Sequence, residues 1–120
     1  MSVIVSIALA TICFTYNGAQ ECHPVLLGKN PPTPTGEFTL IQRYTVDPGY
    51  GGDVLQFKET STKIYAIHRI WLLNPKQNRT QRIKSPRISD HFISMGCINV
   101  EPFVYERLID CCKAEHLIIE

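Results

Sequence analysis

The sequence predicts a mainly β protein carrying one helix, or a few short ones, toward its carboxyl end. Three observations lead there. Runs rich in Val, Ile, Thr, Tyr and Phe recur along the chain ("VIVSIALATICF", "EFTLIQRYTV", "TKIYAIHRI"), and β-branched and aromatic side chains suit a pleated, half-buried surface. Between them stand clusters of Gly, Pro and Asn ("NG", "KNPPTPTGEF", "DPGYGGD"), which supply the positive or fixed φ that turns require. Only "EPFVYERLIDCC" shows helical spacing. At 120 residues and 44% hydrophobic, the chain reads as one domain, 1–120, with a modest core.

The elements follow in order. "VIVSIALATICF" is too short for a membrane span. No Lys or Arg precedes it, as a secretory leader would need, and its β-branched content favours a strand over a signal peptide. "CFTYNGAQEC" then places Asn17-Gly18 between two extended stretches. A type I′ turn needs positive φ at both central residues, which makes Asn-Gly a strong hairpin signal. Counting outward sets Cys13 opposite Cys22 at a position where Cα atoms approach to about 4.5 Å, so a cross-strand disulfide or two adjacent thiols are the readings. The hairpin is expected to belong to the sheet that carries His68. "HPVLLG", "EFTLIQRYTV", "DVLQF" and "TKIYAIHRI" read as further strands, and "WLLNPKQNRTQRIKSPRISDHF" as a long polar connection. Pro102 suits the first turn of the helix, with Phe103, Val104, Leu108 and Cys112 as its apolar positions. Cys111 and Cys112, adjacent on that helix, are expected not to pair with each other.

A net charge of +1 gives no reason to expect nucleic acid as a partner. The basic stretch Lys76 to Lys84 has no interleaved aromatics and reads as a solvated loop. No cofactor motif is present, and zinc is disfavoured because the Cys and His residues lack ligand spacing.

Chemistry converges on "ISDHFISMGCINVEP". Cys97 there could be a buried filler, half of a disulfide, a metal ligand or a nucleophile. A nucleophile needs a base, oxyanion donors and a group that orients the base. His23, before a proline, and His116, near the terminus, look like bystanders. His91 could fold back toward Cys97, while His68 ends the apolar run "KIYAIH" and can be presented at a strand end.

"SMGCINV" resembles the serine/threonine-His-Gly-Cys-hydrophobic-Asn signature of the L,D-transpeptidase (YkuD-type) catalytic domain. "PVLLGKNPPTPTGEF" resembles that family's strand, Gly and Thr-Pro-x-Gly-x-Phe segment, and "YAIHRIW" its histidine-bearing strand. "NPKQNRTQRIKSPRISDHFISMGCINV" resembles the long connection of one branch. The resemblance runs from about Val3 to Leu108.

It implies an L,D-transpeptidase-like β-sandwich or barrel-like sheet with short helices, and cysteine acyl transfer on peptidoglycan stem peptides. Cys97 would be the nucleophile and His68 the base, oriented by the main-chain carbonyl of Arg69. The N–H groups of Gly96 and Cys97 would form much of the oxyanion hole. The Cys97 thiol would be free, with its pKa lowered by His68. Ser94 and Asn99 match signature positions and are placed with the substrate-binding residues, holding the loop by hydrogen bonds. Arg82 and Arg87 suit stem-peptide carboxylates, with plain surface charge as the alternative. Met95 departs from the pattern, standing where the family has a histidine. No cofactor is implied, and a monomer is expected. Peptidoglycan chemistry implies the periplasm or cell wall, although no convincing export signal is read. An injected antibacterial toxin acting as an L,D-carboxypeptidase or exchange enzyme, and a non-catalytic wall-binding module, are the alternatives.

Overall fold

The computed structural model describes residues 2–120. Its strands are β1 (Val3–Ser6), β2 (Thr11–Tyr16), β3 (Ala19–Pro24), β4 (Leu27–Gly28), β5 (Gly36–Thr39), β6 (Ile41–Tyr44), β7 (Asp53–Glu59), β8 (Ile64–Arg69), β9 (Phe92–Ser94), β10 (Ile98–Val100) and β11 (His116–Ile119). The helices are α1 (Arg79–Arg82) and α2 (Pro102–Cys112), with single 3-10 turns at Pro75–Gln77 and Ile88–His91.

The Asn-Gly turn forms as the residue types dictate: Asn17 has φ of 51° and Gly18 of 81°. Tyr16 therefore faces Ala19 and Cys13 faces Cys22. Those two cysteines are bridged, with Cα atoms 4.1 Å apart. The hairpin lies at the edge of a five-stranded sheet ordered β3-β2-β1-β11-β5, whereas His68 belongs to a four-stranded sheet ordered β10-β8-β7-β6. This corrects the expectation that the hairpin shares a sheet with His68. Ile12 and Phe14 bury their side chains while β2 pairs with β1, and β8 is enclosed between β7 and β10.

Two expected strands are each divided by a bend that changes the chain's partner. "VIVSIALATICF" becomes β1 and β2, antiparallel across a turn that ends at Ala10 with φ of 49°. "EFTLIQRYTV" breaks at Leu40, whose side chain is buried and whose N–H bonds to the Glu115 carbonyl. The chain passes there from the five-stranded sheet to the four-stranded one. The terminal "HLII", unassigned from sequence, is β11, parallel to β1 with Val3 opposite Leu117.

One core joins the layers. Val3, Val5 and Phe14 of the first sheet meet Leu55, Ile67 and Val100 of the second, together with Val104, Tyr105 and Leu108 of α2. Pro102 opens α2 at a position that needs no N–H partner. Phe103, expected on the apolar face, is half exposed, and Tyr105 is buried in its place. Cys111 and Cys112 are bonded to each other, against the expectation for a helix interior. They sit in the last turn, where the helix is closing at Lys113.

Cys13 and Cys22 are nine residues apart, and closing a loop of that size contributes roughly 2–3 kcal/mol by restricting the unfolded chain. Replacing both by alanine is expected to lower the unfolding free energy by about that amount in a urea titration. Because the pair lies on the other sheet from His68, the environment of Cys97, read by its alkylation rate, should change little.

Candidate active site

The site is assembled by a parallel strand pair. β10 lies beside β8 with Asn99 opposite His68 and Ile98 opposite Ile67. Side chains alternate along a strand, so Cys97, two residues before Asn99, comes to the face that Ala66 and His68 present. All three line one cleft.

Glycine is obligatory in the turn that delivers Cys97. Gly96 has φ of 111°, and a Cβ there would come within 2.5 Å of the Tyr65 ring. Behind it, a Cβ on Gly28 would stand 2.6 Å from the Gly96 Cα. The turn is pinned by hydroxyls. Ser94 Oγ donates to the Cys97 carbonyl at 2.6 Å and accepts the Gly96 N–H at 3.2 Å. Thr33 accepts the Gly28 N–H at 2.8 Å and donates to the Gly96 carbonyl at 2.9 Å. The Gly96 N–H, expected as an oxyanion donor, is therefore held by Ser94 because the tight turn folds it back on that hydroxyl.

His68 is buried, with Nδ1 2.6 Å from the Arg69 carbonyl. A carbonyl only accepts, so Nδ1 carries a proton and Nε2 is left as the basic nitrogen. Burial lowers its pKa from 6.5 to about 4, the Arg69 carbonyl opposes that change, and the Arg79 charge adds to it. The imidazole is neutral at pH 7. The Tyr50 ring stands edge-on to it at 4.8 Å.

Cys97 is unpaired, and its thiol points at the Ile64 carbonyl, 3.8 Å away. Burial raises its pKa above the ordinary thiol value, against smaller opposing effects of the Ala66 N–H, Lys63 and Arg79. The lowered value expected from a neighbouring histidine is thus overturned: a neutral imidazole offers no charge to stabilise a thiolate.

The Arg69 side chain anchors the strand from behind. It bonds Asp53 at 2.9 Å and Glu106 at 2.7 Å, and covers the Tyr105 ring at 4.2 Å. Asp53 also accepts from Gln42 and Tyr105. Burial alone would raise the Asp53 pKa, but these hydrogen bonds hold it below the usual value.

The remaining expected site residues separate. Asn99 is fully buried, and its Oδ1 accepts from the Trp71 N–H at 3.1 Å and from Arg79 at 2.9 Å. It supports the cleft wall rather than facing a substrate. Arg82 folds onto the Gln77 and Asp90 carbonyls, and Arg87 is an exposed partner of Asp90. Neither lines the clefts around Cys97: Arg82, at the end of α1, and Arg87, just before the Ile88–His91 turn, are both drawn to Asp90. Arg43 borders the smaller cleft and Arg79 the larger; sequence reasoning missed both, along with Tyr50 and Thr33. The Thr-Pro motif was a usable signal for Thr33; nothing local distinguishes Arg79 from its neighbours. His91 is buried between the Val25 and Ser85 carbonyls, and His23 pairs with Glu21, so neither serves Cys97.

Two clefts meet at Cys97 and His68. The first, about 270 Å³, is bordered by Arg43, Tyr44, Asp47 and Val54. The second, about 450 Å³, is bordered by Lys63, Trp71, Gln77, Arg79 and Met95. Tyr50 and Ile64 belong to both.

No protein-family model matches the chain, and no curated protein matches it in sequence. Solved structures do match. An L,D-transpeptidase from Mycobacterium tuberculosis aligns at TM-score 0.66 and 19% identity, over 99% of this chain and 57% of that one. L,D-transpeptidase 3 from the same organism, in complex with a faropenem-derived adduct, aligns at 0.69 and 17%, over 99% and 59%. A mutant L,D-transpeptidase from Enterococcus faecium aligns at 0.69 and 15%, over 99% and 49%. The chain has the fold of these L,D-transpeptidases and spans roughly half to three fifths of their length.

Two outcomes follow. An unfolded His68 binds a proton near pH 6.5 and the folded one only near pH 4. Its contribution to stability is therefore complete above pH 6.5 and is lost as pH falls toward 4. At about 1.4 kcal/mol per pH unit this loss reaches about 3 kcal/mol. Denaturation of the native chain should show that extra loss between pH 7 and pH 4, and a His68→Gln variant should lack it. Gly96→Ala combines a positive φ with a clash, and is expected to cost at least about 2 kcal/mol in the same titration; an unchanged midpoint would contradict the geometry.

Proposed function

We propose that this chain belongs to the L,D-transpeptidases whose fold it has, and is a cysteine acyltransferase acting on peptidoglycan stem peptides. The observation that carries this is that Cys97 and an Nδ1-anchored His68 both line the two clefts where these meet. Two approaches to one thiol suit a transfer between two peptides.

In the proposed reaction His68 Nε2 takes the Cys97 proton as sulfur attacks the scissile carbonyl. The S–C bond forms and the oxyanion is met by the Cys97 N–H, close beside the sulfur. His68 returns the proton to the leaving nitrogen as the C–N bond breaks, and a thioester remains. The amine of a second stem, or water, then attacks that thioester and gives its proton to His68; the C–S bond breaks, the acyl group leaves on the acceptor, and His68 returns the proton to the Cys97 sulfur. Peptidoglycan substrates would place this work in the periplasm or cell wall. Among the described residues no helix is long and apolar enough to cross a membrane.

The test is incubation with purified stem tetrapeptides and intact peptidoglycan, read by mass. Cross-linked products support transfer and tripeptides support hydrolysis, while unchanged substrate would reject both. Cys97→Ala and His68→Ala should each abolish product while remaining folded, because one removes the nucleophile and the other its base. His91→Ala, if folded, should keep most activity; its complete loss would point to a different base.

A further inference from the structure

The two clefts differ in charge. The smaller has Arg43 and Asp47 on its border, and Arg43 also bonds Gln56 and approaches Glu59 at 3.9 Å. The larger has two cations, Lys63 and Arg79, and no Asp or Glu among its lining residues.

Arg79 is only 9% exposed. Its guanidinium donates to Gln77 Oε1 at 2.8 Å and Asn99 Oδ1 at 2.9 Å, and lies 5.3 Å from the Trp71 ring. Both acceptors are neutral amides. Arg69 and Arg107 also pack on aromatic rings, yet each is paired with a carboxylate: Arg69 with Asp53 and Glu106, Arg107 with Glu21. Among the described residues no carboxylate pairs with Arg79. A buried charge without a counter-ion is costly, and a guanidinium fork has five N–H donors. The geometry thus leaves a held cation with unused donors beside the nucleophile. On the same cleft, Lys63 is steadied by the Met95 carbonyl and by the Tyr65 ring at 5.1 Å.

We infer that Arg79, assisted by Lys63, forms a carboxylate-binding subsite in the larger cleft. It takes the free α-carboxylate of the residue that departs when Cys97 is acylated. This rests on the acyl-transfer reading above and adds to it the residue that recognises the departing group by its free acid. A planar carboxylate matches the guanidinium fork. The acceptor, an ammonium in solution, is repelled by the same two cations and enters by the cleft that carries Asp47.

The test measures binding apart from chemistry. A stem tetrapeptide ending in D-alanine, and the same peptide ending in a primary amide, are titrated calorimetrically into the Cys97→Ala chain. The acid should bind about tenfold to a hundredfold more tightly, the range of a hydrogen bond to a charged group. Arg79→Met should erase that preference, and Arg79→Lys should keep part of it. Equal binding of acid and amide would overturn the subsite without any Arg79 variant, as would failure to bind either peptide. A preference that survives Arg79→Met in a folded chain would overturn it too. Turnover of the acid by the unmodified chain is scored separately. Arg79-dependent binding without thioester formation would reject the reaction and leave the subsite standing.

Discussion

The parallel pairing of β10 with β8 is the constraint on which the rest of the site depends. Parallel neighbours cannot be joined by a tight turn and need a long crossover. Here residues 70–97 make that crossover, and they deliver Trp71, Arg79 and Cys97 to one face. The register is exacting, because a slip of one residue turns every side chain to the other face of the sheet. Ile98 and Val100 would then enter the cleft, and Cys97 would turn toward the core. Burial of Ile98, Asn99 and Val100 holds the register, and Asn99 exchanges both main-chain hydrogen bonds with Leu26.

Polar groups around that pairing work from both sides of the sheet. Arg69 shows the division within one residue. Its side chain is fixed by Asp53, Glu106 and Tyr105, and its carbonyl sets the tautomer of His68. Loss of the side-chain network would leave buried Asp53 short of donors and also release the peptide that orients the imidazole. Asn99 plays the corresponding part on β10, holding Arg79 and the Trp71 main chain with one oxygen. Its Nδ2 is buried and has no hydrogen-bond partner among the described residues. The Asn99 side chain is thus held through its acceptor alone, and an unpaired buried donor of this kind costs about 1–3 kcal/mol.

What the sequence disclosed was local chemistry. Asn17-Gly18 specifies its turn whatever surrounds it, so the hairpin and the Cys13–Cys22 register were legible. Pro102 and the spacing of Val104, Leu108 and Cys112 marked the helix in the same way. Leu40 was not legible as a break, because the transfer between sheets depends on a partner, Glu115, far along the chain. β11 is a histidine and three apolar residues after a helix, and its pairing with β1 and β5 makes it a strand. Arginine choice failed for a related reason. Arg79, Arg82 and Arg87 are equivalent as sequence, and the contacts of α1 with Asn99 and Asp90 decide which one faces the thiol.

Burial also decides the resting charge of the pair. A cysteine near a histidine suggests a thiolate–imidazolium couple, but that couple needs two ions in a half-closed site, where desolvation outweighs much of their attraction. Burial lowers the affinity of His68 for a proton and raises that of Cys97. Both partners therefore rest neutral, and in the proposed reaction the proton must move as the sulfur attacks. The nearby cations act unequally on that step. Arg79 opposes a charge on the imidazole, while Lys63 and Arg79 favour a negative one on sulfur. In that proposed step, negative charge developing on the sulfur would form in a field already set to receive it. In such a site the stabilisation favours the state with charge in motion over the resting state, which reconciles a weakly acidic thiol with a nucleophilic role.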